Sequence, residues 1–320
     1  QVYDALGRYV FFGATVDFVW GGMDIKMAMP IGIGDGTDPG SFMDFMGAKT
    51  LGEATPSGGL MSAIEHMMDP AQDQLHADDY ALISFADDSD FTGAASGTGY
   101  AAKLGFALQA TPKIAIGGTY HLKTAMGDWE ADEAIMAFYE GDGSGLIGGE
   151  MKGKMVVEDF QWPAALAFGV AYQHCEKLLL AADYKLIQWA DVMENFTMVF
   201  EVTDDANPLK GEGVAMTMYQ DWEDQSVFQL GAAFMATEQL TLRGGASIAS
   251  NPVPDEFVNP LFPAIEENHF TGGVGFVFAE KQGIDLSFAF APEVEQENSN
   301  TNMSCKHSQF NWQLMYTFGF

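Results

Sequence analysis

The sequence predicts an all-β fold, a transmembrane antiparallel β-barrel, and three observations support this prediction. The first is residues 310–320, where large apolar residues occupy every second position: Phe310, Trp312, Leu314, Tyr316 and Phe318. Side chains alternate faces along a strand, so one face is a continuous apolar band. About ten residues is also the length that a tilted strand needs to cross a bilayer. Taken alone, the segment also fits an edge strand of a soluble β-sandwich.

The second observation is that this alternation recurs along the chain. It predicts strands near residues 9–22, 99–110, 113–123, 156–173, 177–200, 225–236, 239–249, 269–280, 283–291 and 308–320. The face opposite the apolar one holds small residues and the charged or titratable ones: Asp17, Lys103, His121, Lys123, Asp183, Lys185, Arg243 and Asp285. A barrel that faces lipid requires this separation of charged from apolar positions.

The third observation is the alternation of short and long connections between these strands. The short ones are residues 111–112, 174–176, 237–238 and 281–282, and the long ones are 23–98, 124–155, 201–224, 250–268 and 292–307. Outer-membrane barrels have short periplasmic turns and long extracellular loops, whereas a sandwich has no reason to sort its loops. Residues 1–320 are therefore predicted to form one outer-membrane barrel domain. Cys175 and Cys305 then lie at opposite ends and should not pair.

Composition excludes several other classes of protein. The formal net charge is −31 with only 14 Lys and Arg, which argues against nucleic-acid binding. Apolar runs reach only about ten residues, against the ~20 of a transmembrane helix, so a membrane span must be a closed barrel. The six histidines show no metal-ligand spacing, and no phosphate-binding loop or nucleophile elbow is present. We expect no cofactor, no metal and no enzymatic activity.

Two amphipathic segments in the first two long loops predict helices. Residues 59–75 place Met61, Ile64, Met67 and Met68 on one face, and residues 130–140 do the same with Ile135, Met136, Phe138 and Tyr139. Such a face is usually packing surface, but no large core is expected outside a barrel. Methionine adapts to apolar ligands of varied shape. We therefore predict helical extracellular loops, residues 23–98 and 124–155, that pack together and leave an apolar groove.

Three further segments carry motifs of one known family. Residues 99–127 (GYAAKLGFALQATPKIAIGGTYHLKTAMG) form a strand, a short turn and a strand. Residues 162–192 contain Pro163, Asp183, Tyr184 and Trp189, and residues 240–278 contain Arg243, Gly245, the Pro252–Val253–Pro254 loop and Pro263. In this order and spacing the segments resemble the outer-membrane long-chain fatty-acid transporters of the FadL type, a family that includes aromatic-hydrocarbon transporters.

The resemblance implies a fourteen-stranded barrel plugged by an N-terminal hatch, of which this chain matches the last ten strands. No Asn-Pro-Ala hatch motif is present, the chain begins at Gln1, and residues 1–8 look like a periplasmic turn. We therefore expect a partial barrel without the hatch and the first strands, with its first and last strands as edges.

The resemblance also implies a function, which is outer-membrane transport of long-chain fatty acids or other hydrophobic small molecules. The protein is then expected to be a monomer in the Gram-negative outer membrane, in contact with lipid and lipopolysaccharide. Cargo is captured in the groove of the two helical loops and passes through the lumen. Candidate anchors for a carboxylate are Arg243, Lys103, Lys123 and Lys185, with arginine favoured for its bidentate fork. Alternatively, these cations pair with Asp17, Asp183 and Asp285.

Two other functions stay open from the sequence. One is a general diffusion porin with a water-filled lumen, which steady conductance distinguishes from a transporter. The other is an outer-membrane lipid-modifying enzyme that uses a pair such as Ser247 and His121. Residues 251–263 are most simply a rigid, proline-stiffened cap, and a gating role is the alternative.

Overall fold

The computed structural model describes residues 2–3, 9–32, 41–42, 44, 51–69, 75–87, 89, 92–279, 282–301 and 303–319. The strands are β1 Val2–Tyr3, β2 Tyr9–Met23, β3 Ile25–Pro30, β4 Gly52–Pro56, β5 Tyr80–Phe85, β6 Ala95–Thr111, β7 Ile114–His121, β8 Ala125–Met126, β9 Trp129–Tyr139, β10 Leu146–Glu158, β11 Ala165–Cys175, β12 Leu178–Ile187, β13 Asn195–Val202, β14 Gly213–Tyr219, β15 Gln225–Met235, β16 Leu240–Ala249, β17 Asn268–Ala279, β18 Gln282–Glu297 and β19 Ser304–Phe318. Helix α1 is Gly58–Met68, and Trp189–Asp191 forms a 3₁₀ turn.

Ten strands form a continuous antiparallel sheet, here called the wall. Its order is β2, β6, β7, β11, β12, β15, β16, β17, β18 and β19. Each of these strands falls on one of the ten predicted segments, which confirms the barrel architecture. No ladder joins β2 to β19 in the described ranges, so the wall is open between them.

One face of the wall is apolar and exposed over its whole width. Val16 is 81% exposed, Phe12 74% and Trp312 69%. Because no protein covers these side chains, this is the surface that faces lipid. At Gly272, which interrupts the band, a neighbouring ring covers the gap. A Cβ on Gly272 would lie 2.4 Å from the ring of Phe288. The opposite face, with the charged residues, is the luminal face.

Seven other strands form a second sheet, here called the outer sheet, in the order β3, β5, β9, β10, β13, β14 and β4. They come from the connections β2–β6, β7–β11 and β12–β15, all at the end of the wall with the long loops. Helix α1 packs against the outer sheet, and the two enclose a methionine-rich core. This core includes Leu60, Ile64, Phe138, Met155, Met198, Phe200 and Met216. The expectation that no large core exists outside the barrel was wrong, because three connections combine to build one.

Three predictions about these connections need correction. Residues 130–139 belong to strand β9 instead of a helix. The helix predicted at 59–75 is present as α1, which ends at Met68, and residues 70–74 of that prediction lie outside the described residues. Segment 156–173 was predicted as one strand but contains the end of β10, in the outer sheet, and most of β11, in the wall. Segment 177–200 likewise contains β12, in the wall, and the beginning of β13, in the outer sheet. Residues 292–307 are mostly the extended hairpin of β18 and β19.

The connection between β16 and β17, residues 250–267, packs as a cap at the same end. Val253, Val258 and Ile265 of this cap are buried with Trp222 and Cys305. Cys305 is free and buried, and Cys175 is free and exposed, so the prediction that the two do not pair is confirmed. In the described ranges, none of the helices has the length and apolar character needed to span a bilayer.

Candidate functional site

The luminal face of β12 and β15–β19 forms a shallow concave region of about 670 Å³. Glycines occupy many of its luminal positions, among them Gly231, Gly245 and Gly273, so few side chains fill it. Its polar side chains are Asp183, Gln229, Arg243, Ser247, Thr271, Asp285, Ser287, Asn311 and Gln313. Most of them are uncharged, so the region lacks the single-sign field that strongly selects ions.

The predicted lumen cations divide into two groups. Arg243 Nη1 lies 2.7 Å from Asp285 Oδ1, and Lys103 Nζ lies 3.3 Å from Asp17 Oδ2. These two cations are thus ion-paired, as the alternative has it, and whether either also anchors a cargo carboxylate stays a prediction. Lys123 and Lys185 form no ion pair within 4.0 Å in the described part of the chain, and Asp183 is not a partner of Lys185 there. Lys185 is partly buried and Lys123 exposed.

The eight predicted groove residues lie in three different places. Ile64, Met136 and Phe138 are buried in the core of the outer sheet, each at most 1% exposed. Ile135 and Tyr139 belong to the same strand as Met136 and Phe138 but to its opposite face, where the ring of Tyr139 stacks on Tyr80 at 5.5 Å. Met61, Met67 and Met68 are partly exposed on α1. The structure therefore brings α1 and β9 into one core, and their binding role stays a prediction.

Helix α1 is held to the outer sheet by a carboxylate from another connection. Its N-cap residue, Ser57, makes no capping bond of its own. Glu212 supplies the missing acceptor: Ser57 Oγ donates to Glu212 Oε2, as does the Gly59 amide at 3.1 Å. These bonds, the serine hydroxyl first, hold the pKa of the Glu212 carboxyl below its ordinary value. A negative charge is also favourable at a helix N-terminus.

An aromatic layer lies where the outer sheet meets the wall, and the sequence did not reveal it. Its members are Trp129, Phe160, Phe196 and Phe262. The ring centroids are 5.3 Å apart for Trp129 and Phe160, 6.0 Å for Phe160 and Phe196, and 4.8 Å for Phe196 and Phe262. These residues come from β9, β13 and two loops, so no periodicity in the sequence links them.

The Trp129 indole lies directly on the luminal backbone of the wall. A Cβ on Gly21 would be 2.5 Å from its Cη2, and one on Gly97 would be 2.4 Å from its Cδ1. Gly21 and Gly97 are register partners on β2 and β6. We call them the glycine platform. Val19 and Asp17 precede Gly21 on the same face, so the aromatic layer lies at the mouth of the lumen.

Other site chemistries find little support in the described residues. Among them, no group of three or more His, Cys, Asp or Glu is arranged to hold a metal ion. Ser247 and His121 lie on β16 and β7, four strand positions apart in the wall. At ~4.8 Å per strand, that separation is about 19 Å along the sheet, so the two do not form a catalytic pair.

These features define an integral outer-membrane β-barrel with an aromatic layer at the mouth of its lumen. Residues 88–316 match the family model described as "Outer membrane protein transport protein (OMPP1/FadL/TodX)". The chain therefore belongs to this family, as the sequence motifs indicated, and is located in the outer membrane of a Gram-negative bacterium. No match was found among curated proteins.

Solved structures of the same family share the fold. The toluene transporter TodX of Pseudomonas putida is 25% identical, with a TM-score of 0.76, and the match covers 97% of this chain and 66% of that one. The toluene transporter TbuX of Ralstonia pickettii is 23% identical, with a TM-score of 0.67 and coverage of 97% and 64%. A FadL homologue of Pseudomonas aeruginosa, at 13% identity, TM-score 0.53 and coverage of 97% and 62%, has the same fold. The chain thus spans just under two thirds of these relatives.

Proposed function

We propose that this protein carries hydrophobic small molecules across the outer membrane without altering them chemically. The observation that carries the proposal is a continuous apolar stack at one end of the wall. It runs from the outer-sheet core through Phe196 and Phe160 to Trp129 at the luminal face. An apolar cargo avoids exposure to the polar lipopolysaccharide and to water along such a path.

Family membership and the likeness to TodX support small apolar molecules as cargo. TodX is described as a toluene transporter, so we propose monoaromatic hydrocarbons as one cargo class. Long-chain fatty acids are the second class, because Lys123 and Lys185 have no acidic partner among the described residues. A carboxylate that binds one of them would form a charge-assisted hydrogen bond.

We further propose that α1 captures cargo at the extracellular surface. Met61, Met67 and Met68 are partly exposed there and lie next to the buried Ile64, Met136 and Phe138, which form an apolar floor. Ile135 and Tyr139 are accessible from the other face of β9. We also propose that the protein is a monomer, with lipopolysaccharide around its long-loop end; light scattering of the purified protein in detergent tests the oligomeric state.

Uptake into proteoliposomes tests the transport proposal. We expect a faster initial uptake of radiolabelled toluene than in protein-free vesicles, no faster uptake of glucose, and no steady ion conductance in planar bilayers. Equal rates for toluene and glucose, together with open channels, would instead identify a diffusion porin. If toluene and a long-chain fatty acid both enter no faster than they enter empty vesicles, the proposal is overturned.

The capture step is tested by charge substitution on α1. Met67→Asp should reduce toluene uptake about tenfold at limiting concentration, because a carboxylate on the capture face costs more than ~1.4 kcal/mol of apolar contact. Ser62→Asp, on the exposed side of the same helix, is the matched control and should leave uptake unchanged. Equal effects of both substitutions would contradict the capture role.

A further inference from the structure

We infer that Trp129 is a specificity-determining residue that donates its indole N–H to the cargo at the mouth of the lumen. The preferred cargo then combines an apolar ring with one hydrogen-bond acceptor, as in a phenol, an aromatic aldehyde or an aryl ester. This inference rests on the proposed transport function and narrows its substrate class.

The first supporting observation is an unpartnered polar group. Trp129 is 3% exposed, and its Nε1 has no hydrogen-bond partner among the residues that the structure describes. Leaving a buried donor unpaired costs roughly 1–3 kcal/mol, so an unpaired donor in a folded protein needs an explanation. Phe at this position would fill the same aromatic layer without that cost. A ligand that accepts from Nε1 during passage provides the explanation.

The second observation is the way the wall accommodates the indole. Gly21 and Gly97 are paired in register, and a side chain on either would overlap the ring. Gly99 continues the same luminal row and lies against Met126. The wall thus has no luminal side chain at the positions that would otherwise hold the indole away from it. The indole therefore packs directly against the platform.

The third observation is what surrounds the ring. Phe160 meets Trp129 edge to face at 83°, and Phe160 in turn meets Trp162 at 74° and Phe196 at 82°. Edge-to-face contacts of this kind suit an additional aromatic ring, which extends the same packing pattern. On the described luminal positions of β2 and β6, the first charged side chains beyond the platform are Asp17 and Lys103, which pair with each other. At the glycine platform, the indole N–H therefore supplies the polar contact to the cargo, and the aromatic rings supply the apolar contact.

Competitive uptake of two matched probes tests the inference. Toluene and benzaldehyde are similar in size and shape, but only benzaldehyde has an acceptor oxygen. A neutral hydrogen bond contributes about 0.5–1.5 kcal/mol, so we expect the wild-type protein to prefer benzaldehyde by about two- to tenfold after correction for membrane partitioning. Trp129→Phe, which keeps an aromatic ring and removes the N–H, should abolish this preference, so that the ratio of benzaldehyde to toluene uptake falls to about one.

A pair of glycine variants provides a second test that does not depend on Trp129→Phe folding. Gly97→Ala places a methyl group against the indole and should displace it, whereas Gly13→Ala, on the luminal face of β2 with nothing within 4 Å, should not. We expect Gly97→Ala to shift the tryptophan emission to longer wavelength and to lose the benzaldehyde preference. Gly13→Ala should match the wild-type protein in both measurements.

The outcomes separate this inference from the transport proposal. If neither probe is taken up by the wild-type protein, the transport function itself fails. If both are taken up and the probe ratio is the same in the wild-type protein and Trp129→Phe, transport stands and the role of the indole N–H is overturned. An unchanged ratio and emission spectrum in Gly97→Ala would likewise overturn the role of the platform.

Discussion

The guanidinium of Arg243 reaches across strand β17 to the carboxylate of Asp285, with Nη1 and Oδ1 2.7 Å apart. The two residues lie on β16 and β18, and the luminal positions between them on β17 are Gly273 and Gly275. A Cβ on Gly275 would stand 2.4 Å from Asp285 Oδ1 and 2.9 Å from Arg243 Nη1. The glycine therefore lets the pair form directly above it.

Gly275→Val should separate this ion pair. The two side chains are 50% and 31% exposed, so the pair contributes about 0.2–1 kcal/mol to the free energy of unfolding. A double-mutant cycle of Arg243→Gln and Asp285→Asn, measured by urea unfolding in lipid vesicles, should give this coupling in the wild-type background and almost none in the Gly275→Val background. Gly231→Val is the control, since a Cβ there meets nothing within 4 Å. Equal coupling with and without Gly275→Val would contradict the geometry.

The attachment of α1 should weaken in acid. Because the folded-state pKa of Glu212 is lowered, its stabilising effect is fully present above the ordinary glutamate pKa of ~4.3 and is lost as the pH falls through the lowered value. We expect hydrogen exchange in residues 58–68, corrected for the intrinsic rate, to accelerate below about pH 4. Glu212→Gln should show faster exchange already at pH 7 and a smaller further increase in acid.

Glu65→Gln is the matched control for this prediction. Glu65 lies on the exposed side of the same helix, and its substitution removes the same charge. The exchange profile of this variant should follow that of the wild-type protein at every pH. If Glu65→Gln and Glu212→Gln behave alike, the effect is one of net charge and not of the bonds to Ser57 and Gly59.

The ten wall strands were predictable because lipid imposes a rule that no neighbouring element overrides. One face of each strand has no protein partner, so every second residue must be apolar regardless of tertiary contacts. β15 and β16 illustrate this: the segments predicted at 225–236 and 239–249 were found at Gln225–Met235 and Leu240–Ala249.

Strand β9 was predicted as a helix because it is apolar on both faces: Met136 and Phe138 lie in the core and Ile135 and Tyr139 on the opposite face, which together give helical spacing. A bulge earlier in the strand adds to this pattern. Ala131 pairs with Met155 and Ala134 with Gly153, so β9 uses one more residue than β10 at this point. The buried residues Ala131 and Ala134 are therefore three positions apart, which is the spacing of a helix face. Beyond the bulge, Met136 and Phe138 return to a spacing of two.

The outer-sheet core and the aromatic layer depend on contacts between distant connections. Phe138, Phe200 and Met216 belong to different strands of the long connections, and each connection alone is too short to bury them. The sequence predicted β10 and β11 as parts of one strand, because the alternation of apolar residues continues across the short link between them. The two strands belong to different sheets. Periodicity reports the face of a strand and not the sheet to which it belongs.

Lys185 should discriminate between charged and uncharged cargo. We expect Lys185→Gln to reduce uptake of laurate about tenfold and to leave uptake of methyl laurate unchanged, because only the carboxylate forms a charge-assisted bond. Lys113→Gln, at the short-turn end, controls for overall charge. The double variant Asp17→Asn with Lys103→Gln removes a lysine that is already neutralised and should resemble the wild-type protein. Equal loss for both probes in Lys185→Gln would contradict an anchoring role.

The stability of the cap, residues 250–267, should depend on Asn298, which lies at the tip of the β18–β19 hairpin. This side chain is 0% exposed, and its Nδ2 donates to the carbonyls of Glu256 at 3.0 Å and Val258 at 2.9 Å. Its Oδ1 also accepts from the amides of Asn300 and Thr301. Asn298→Ala leaves the cap carbonyls unpaired, which costs about 1–3 kcal/mol.

Hydrogen exchange distinguishes a rigid cap from a gate. If the cap is rigid, residues 251–263 of the wild-type protein should exchange slowly, and Asn298→Ala should accelerate them about 5- to 150-fold, in line with that cost. Asn300→Ala is the control: its Nδ2 donates to Glu256 at 3.2 Å from an exposed position, so its loss should change the rate little. Fast exchange already in the wild-type protein would show that the Asn298 bonds open readily, and the cap would then move as a gate does.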